Sequence, residues 1–202
     1  MTPDDVAAFD AALAAGGVAL FPADTVYGLA AAAGSREGVE RLYRLKGRAP
    51  DRPAAVMFFD LERALAALPE LGPRTREALR RVLPGAVTAV VPNPAGRFPL
   101  ACPTDPARLG VRVPRLDGPL EPLTAAAGPV LQSSANPSGG PDPRRLEDVE
   151  PSIREGVDVA LDAGPLPGVA STVVDLTAYE TTGSHAVLRE GAVPSEALSR
   201  LI

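Results

Sequence analysis

The chain has 202 residues, 46% of them hydrophobic but only 4% aromatic and none Trp, which suits one domain, residues 1–202, built on an aliphatic core. One Cys (Cys102) and one His (His185) exclude a disulfide framework, a Cys-rich zinc site, every two-His metal motif, and a Ser-His-Asp triad unless His185 serves. A net charge of −5, an acidic start and no apolar run near the ~18 residues of a membrane span exclude a signal peptide and argue against a general nucleic-acid binder, so a cytoplasmic protein without a membrane partner is expected.

In chain order, Thr2-Pro3-Asp4-Asp5 is an N-cap with Pro at the first helical position, and opens a helix that carries Val6, Phe9 and Leu13 and stops at Gly16-Gly17. Val18–Phe21 reads as a buried strand. Ser35 caps a second helix through Leu45. Ala54–Phe59 is a strand, Asp60 caps the next helix, Pro73–Leu83 is an Arg-rich helix and Val87–Val91 a β-branched strand. Leu109–Val113 is expected as a strand, Pro119–Ala127 as a helix, Val130–Ser133 as a strand, and Arg145–Val149 as a short helix. Strands at Val157–Leu161, Ser171–Leu176 and Ala186–Arg189 and a closing helix at Ser195–Leu201 follow. Helices spread among strands predict an α/β sheet covered by helices, and the strand-rich last third predicts a mixed sheet.

Five segments carry polar residues at the ends of apolar strands, where such sheets bind ligands. Phe21–Leu29 sets Asp24 and Thr25 beside Gly28 directly after a strand; an ordinary capped turn has the same composition. Lys46-Gly-Arg48-Ala-Pro-Asp-Arg52-Pro53 holds three cations in seven residues, fit for polyphosphate or for a solvated loop. Neither a Walker A sequence nor GxGxxG is present. Lys46 is also the single Lys beside 19 Arg residues. Arg112 lies inside an apolar strand and therefore needs a carboxylate, from the protein or from a ligand. Gln132–Gly140 is a run of small donors and acceptors. Ser171 and Thr172 open a buried strand, and Arg189 ends a later one.

In this order the segments resemble the YrdC-like family, the threonylcarbamoyl-AMP synthases of tRNA modification. Pro22–Leu29 matches its Pro-Thr-Asp-Thr-Val-Tyr-Gly-Leu pattern except at Ala23. Lys46, Arg48 and Pro53 match Lys-x-Arg-Pro-x-x-x-Pro-Leu, with Ala49 and Ala54 departing. Pro84, Gly85 and Thr88 match Pro-Gly-Pro-x-Thr, with Ala86 departing. Leu109–Pro114, Ser134–Gly139, Ser171–Asp175 and Leu188–Gly191 match as well. The resemblance covers nearly the whole chain and looks like the short, single-domain type.

The resemblance implies a twisted, mixed α/β sheet with flanking helices around a concave basic cavity. It implies an L-threonylcarbamoyladenylate synthase that joins L-threonine, bicarbonate (or CO2) and ATP and releases pyrophosphate. Partner proteins of the t6A transfer machinery would then modify tRNA at adenosine 37, so tRNA is an indirect partner. Thr25, Arg112, Ser134 and Ser171 fall at the family's threonine positions, and Met57 where some members place a His. Lys46, Arg48, Asn136 and Arg189 fall at ATP positions, with Lys46 and Arg48 as the catalytic pair; Arg52, Arg108 and Arg144 fall at further ATP-side positions by spacing. Mg²⁺ is expected to ride on the triphosphate, without an all-protein metal site. Two other readings share these residues: a carbamoyltransferase of the hydrogenase-maturation type, disfavoured by the single Cys, and a non-enzymatic RNA-binding or regulatory module, disfavoured by the net charge.

Overall fold

The computed structural model describes residues 1–202. It contains one nine-stranded mixed sheet. The strands are β1 (Ala19–Pro22), β2 (Tyr27–Ala32), β3 (Ala55–Met57), β4 (Val87–Pro92), β5 (Arg108–Arg112), β6 (Val130–Ser134), β7 (Val159–Ala160), β8 (Thr172–Asp175) and β9 (Ala186–Arg189). Their spatial order is β7-β1-β2-β6-β3-β5-β4-β8-β9. The β1/β7, β3/β5 and β4/β8 pairs are parallel and the others antiparallel.

The helices start where their caps predict. Thr2 and Asp5 form a capping box at the start of α1 (Pro3–Ala14). Ser35 accepts from the Gly38 amide at the start of α2 (Arg36–Lys46), which Gly47 closes in a left-handed conformation. Asp60 caps α3 (Leu61–Ala67), and Pro73 is the first residue of α4 (Pro73–Val82). Two single-turn helices, α5 (Pro151–Glu155) and α6 (Tyr179–Thr182), precede the closing α7 (Ser195–Leu201).

The two faces of the sheet are covered unequally, and this creates the site. On one face Leu20, Leu29, Val56, Val111 and Leu131 join residues of α2, α3 and α4 in a core of 35 buried residues. On the other, α1 packs Val6, Phe9 and Leu13 against Phe21, Ala30, Met57 and Val130 in a cluster of 13. That smaller cluster covers β1 and β2 and reaches Val130 of β6 and Met57 of β3. Beyond it the second face lies open over β5, β4 and β8.

Besides the unexpected α5 and α6, several elements differ from those expected, two of them for a clear physical reason. β2 was not expected: Tyr-Gly-Leu-Ala-Ala-Ala is buried on both faces, so it lacks alternation, and Gly and Ala carry little β propensity. Asp24 and Thr25 therefore sit in the turn of a hairpin rather than between strand and helix. Pro119–Ala127 is a 3-10 helix over Gly118–Ala125, because Pro122 inside it lacks the N–H that an α-helix needs. The short helix near Arg145–Val149 is one 3-10 turn, Leu146–Asp148, and the strand at Val157–Leu161 shortens to Val159–Ala160.

Candidate active site

A cavity of about 440 Å3 occupies the open face. Strand register explains its lining. Met57, Arg112, Thr88, Val173 and Arg189 are successive direct partners across β3, β5, β4, β8 and β9, so their side chains form one row on one face. The next row is small, with Ala55, Gly110 and Val90 as its cavity floor. The cationic and hydroxyl-bearing groups thus stand over a shallow apolar base.

Arg112 is the most confined of the arginines. Its side chain is 4% exposed, and Nη2 donates to Asp24 Oδ1 at 2.6 Å and Thr25 Oγ1 at 2.5 Å. Asp24 in turn accepts from the Arg115 amide at 2.9 Å through Oδ2. The carboxylate that a strand-buried Arg demands is therefore supplied by the protein. Nε of Arg112 remains buried without a partner, and Arg112 lines the cavity. The Nε atoms of Arg48 and Arg108 are in the same condition on the same cavity wall. Arg48 donates through Nη2 to the Pro53 carbonyl at 2.6 Å, and Arg108 pairs with Asp175. Buried donors without a hydrogen bond cost free energy, and the three guanidinium groups that carry them gather positive charge on one wall.

Ser134, Lys46 and Asn136 form a closed network behind the wall. The Lys46 ammonium donates to the carbonyl oxygens of Ser134 and of Asn136 (2.6 Å) and to Asn136 Oδ1 (3.0 Å). Ser134 Oγ also donates to Asn136 Oδ1, at 2.6 Å, and Asn136 Nδ2 donates to the Gly140 carbonyl at 2.5 Å. Ser134 lines the cavity, whereas Lys46 and Asn136 do not. Burial, reinforced by repulsion from Arg48, lowers the Lys46 pKa to about 8 against the attraction of Asp142.

On the β8–β9 side, Ser171 Oγ and Thr88 Oγ1 are hydrogen-bonded at 2.8 Å. Arg189 donates through Nη2 to the Ser171 carbonyl at 2.8 Å. Burial lowers the Arg189 pKa; Asp142 opposes that shift and Arg112 adds to it.

Of the residues expected at a site, Arg48, Arg108, Arg112, Ser134, Ser171 and Arg189 line the cavity together. Thr25 reaches it through Arg112, and Lys46 and Asn136 brace it from behind. Met57 does not line it: the side chain is fully enclosed among Phe21, Phe59 and Val130, one row position from Arg112. Arg52 is exposed outside the wall, as is Arg144, whose Nε donates to the Leu166 carbonyl at 3.2 Å. Sequence reasoning gave no site role to Thr88, Asp105 or Cys102, all cavity-lining. For Thr88 a signal existed in its Pro-Gly-x-x-Thr setting. Asp105 and Cys102 lie in the irregular segment between β4 and β5, where periodicity is silent.

Comparison with known proteins gives a consistent picture. The Sua5/YciO/YrdC family model, described as telomere recombination, matches residues 11–191. A Pyrococcus abyssi threonylcarbamoyl-AMP synthase is 29% identical over 188 residues, covering 93% of this chain and 54% of its own length. A Mycobacterium tuberculosis (H37Rv) protein is 34% identical over 196 residues, covering 95% of this chain and 86% of its own. The crystal structure of P. abyssi Sua5 complexed with L-threonine has a TM-score of 0.85 at 27% identity, over all of this chain and 58% of that one. The chain thus spans little more than half of the archaeal protein. Since the family match runs from residue 11 to residue 191 and the likeness of fold over the full chain, the protein belongs to the Sua5/YciO/YrdC family.

Proposed function

We propose that the protein is a nucleotidyltransferase, an L-threonylcarbamoyladenylate synthase, making threonylcarbamoyl-AMP and pyrophosphate from L-threonine, bicarbonate (or CO2) and ATP. The observation that carries this reading is the gathering of Arg48, Arg108, Arg112 and Arg189 on the wall of one cavity. Such donors suit a polyanion and a carboxylate, and a guanidinium offers them in a planar fork. The archaeal relative is named for this synthase activity, and its structure was solved with L-threonine.

In this reading the threonine carboxylate meets the free edge of Arg112, held in place by Asp24 and Thr25. Arg48, Arg108 and Arg189 take the phosphates, while Lys46 and Asn136 hold Ser134 against the substrate. The threonine amine adds to CO2 and loses a proton to give a carbamate. A carbamate oxygen then attacks the α-phosphorus, the α–β phosphoanhydride bond breaks, and pyrophosphate leaves with its electron pair. Such a transfer needs positioning and charge neutralisation rather than a covalent nucleophile. Asp105 is the one carboxylate on the cavity wall, and no group of three metal-ligating side chains gathers in the structure. These residues fit Mg²⁺ carried mainly by the phosphates, and Asp105 is the side chain that would help to hold it. Mg²⁺ supplies neutralisation of the charge that develops on the phosphate oxygens. No helix is long and apolar enough to cross a membrane. We place the reaction in the cytoplasm, upstream of partner proteins that transfer the group to tRNA for t6A.

The test is pyrophosphate release with ATP, Mg²⁺ and bicarbonate, with and without L-threonine. Release that requires both threonine and bicarbonate is the expected result. A folded, ATP-binding sample that releases none, but turns over carbamoyl phosphate, would overturn the reading in favour of a carbamoyltransferase.

A further inference from the structure

Arg112 offers a seat for a carboxylate, but every amino acid carries one. Whatever reads the side chain must stand next to that seat. Thr88 on β4 is the direct cross-strand partner of Arg112 on β5, and Val173 on β8 is the direct partner of Thr88. All three line the cavity. Directly opposed Cβ atoms lie about 5 Å apart. A β-hydroxyl, separated from its carboxylate only by the α and β carbons, is therefore brought to Thr88 when the carboxylate rests on Arg112.

Thr88 is 7% exposed and its Oγ1 lies 2.8 Å from Ser171 Oγ, with either atom able to donate. Arg189 Nη2 donates to the Ser171 carbonyl and stands 3.5 Å from Ser171 Oγ, which holds Ser171 in place. A hydroxyl has one proton and two lone pairs, so Thr88 Oγ1 keeps hydrogen-bonding capacity for a second hydroxyl whichever way the Thr88–Ser171 bond runs. Val173 lines the cavity beside it and supplies an apolar neighbour for a β-methyl group.

We propose that Thr88 is the specificity-determining residue that reads the β-hydroxyl of the amino-acid substrate, with Ser171 holding the Thr88 hydroxyl in place. The proposal rests on the synthase reading. It distinguishes threonine from 2-aminobutyrate, which has the same carbon skeleton without the hydroxyl. Thr88→Val keeps the β-branched shape and the strand preference but removes the hydroxyl.

The experiment measures pyrophosphate release by wild type, Thr88→Val and Thr88→Ser with L-threonine and with L-2-aminobutyrate, together with KM for ATP. The expected result for Thr88→Val is a rise in threonine KM of about tenfold, with 2-aminobutyrate and ATP changed by less than about threefold. Thr88→Ser, which keeps the hydroxyl, restores the preference for threonine. A Thr88→Val protein that keeps the wild-type ratio of threonine to 2-aminobutyrate, or that loses both substrates equally while Thr88→Ser does the same, overturns the proposal. Wild-type protein that releases no pyrophosphate with threonine overturns the synthase reading, and the proposal with it.

Discussion

Lys46 and Asn136 are bonded twice: the ammonium reaches the Asn136 carbonyl at 2.6 Å and its Oδ1 at 3.0 Å. With the Ser134 carbonyl as the third acceptor, the ammonium has no proton left for a ligand. In the proposed reaction Lys46 would therefore be a positioning residue rather than a ligand contact. It ties the end of α2 to the end of β6 and fixes Ser134 on the cavity wall.

Lys46→Met removes the donor and leaves three buried oxygens without it. The expected loss of stability is about 2 kcal/mol, measured by urea unfolding, because a buried acceptor left unmade costs roughly 1–3 kcal/mol. Pyrophosphate release should fall by more than about tenfold. Lys46→Arg should not rescue either property, since a planar guanidinium does not fit a space built for a compact ammonium. Near-normal turnover in Lys46→Met would remove the residue from the mechanism.

The same ammonium makes stability and activity diverge at alkaline pH. Its folded pKa of about 8 lies below the ordinary 10.5, because burial disfavours the charge and Arg48 repels it. Between these values the unfolded chain binds a proton that the folded chain lacks, so the contribution of Lys46 to stability rises with pH across that window. Activity should instead fall through about pH 8, as the ammonium loses one donor and its charge. Wild type and Lys46→Met, compared from pH 7 to 10, should show the wild-type stability advantage growing while wild-type turnover declines. A stability advantage that stays flat across the window would contradict the lowered pKa.

Arg112→Lys separates the amino-acid subsite from the phosphate subsite. Arg112 uses Nη2 for Asp24 and Thr25 and leaves Nη1 without a protein partner, a division that a single ammonium cannot reproduce. A Lys can still pair with Asp24, so the fold should hold. Threonine KM should rise by about tenfold or more while ATP KM changes by less than about threefold. Equal changes in both would mean that the two subsites are not separate. Asp24→Asn, by contrast, leaves a buried guanidinium without its counter-charge. It should destabilise the protein by about 3 kcal/mol, the low end for a buried pair because the adjoining cavity admits water.

These relationships were unequally legible in the sequence. Caps are local chemistry, so Thr2, Ser35 and Asp60 announced α1, α2 and α3. Arg112 announced its need for a carboxylate, because an Arg in an apolar strand cannot stand alone. Its partner was not readable: Asp24 is 88 residues away and meets it only through the order β1-β2-β6-β3-β5. Met57 shows the converse. The resemblance put it at a threonine-side position, and the register does set it beside Arg112, yet the side chain lies in the smaller core with residues of α1. The resemblance put Lys46 and Asn136 at ATP positions; the structure sets both behind the cavity wall, bonded to each other and to Ser134, which no local pattern announces.

Gly110 allows the cavity to be filled without disturbing the sheet. A Cβ at this position would meet Ala55 at 3.4 Å, ordinary contact, and the backbone needs no left-handed conformation. Because Gly110 shares the face of Arg112 and forms part of the cavity floor, the two methyls of a Val would project into the space above it. Val also suits a strand better than Gly, so Gly110→Val should unfold within about 1 kcal/mol of wild type or be slightly more stable. ATP binding, followed by calorimetry, should weaken by about tenfold or more, because the ligand must lie on that floor. The thermal midpoint checks the first half of the prediction and the affinity the second. A variant that is stable yet binds ATP as wild type does would move the nucleotide off the β3–β5 floor, leaving the arginines of the wall to bind something else.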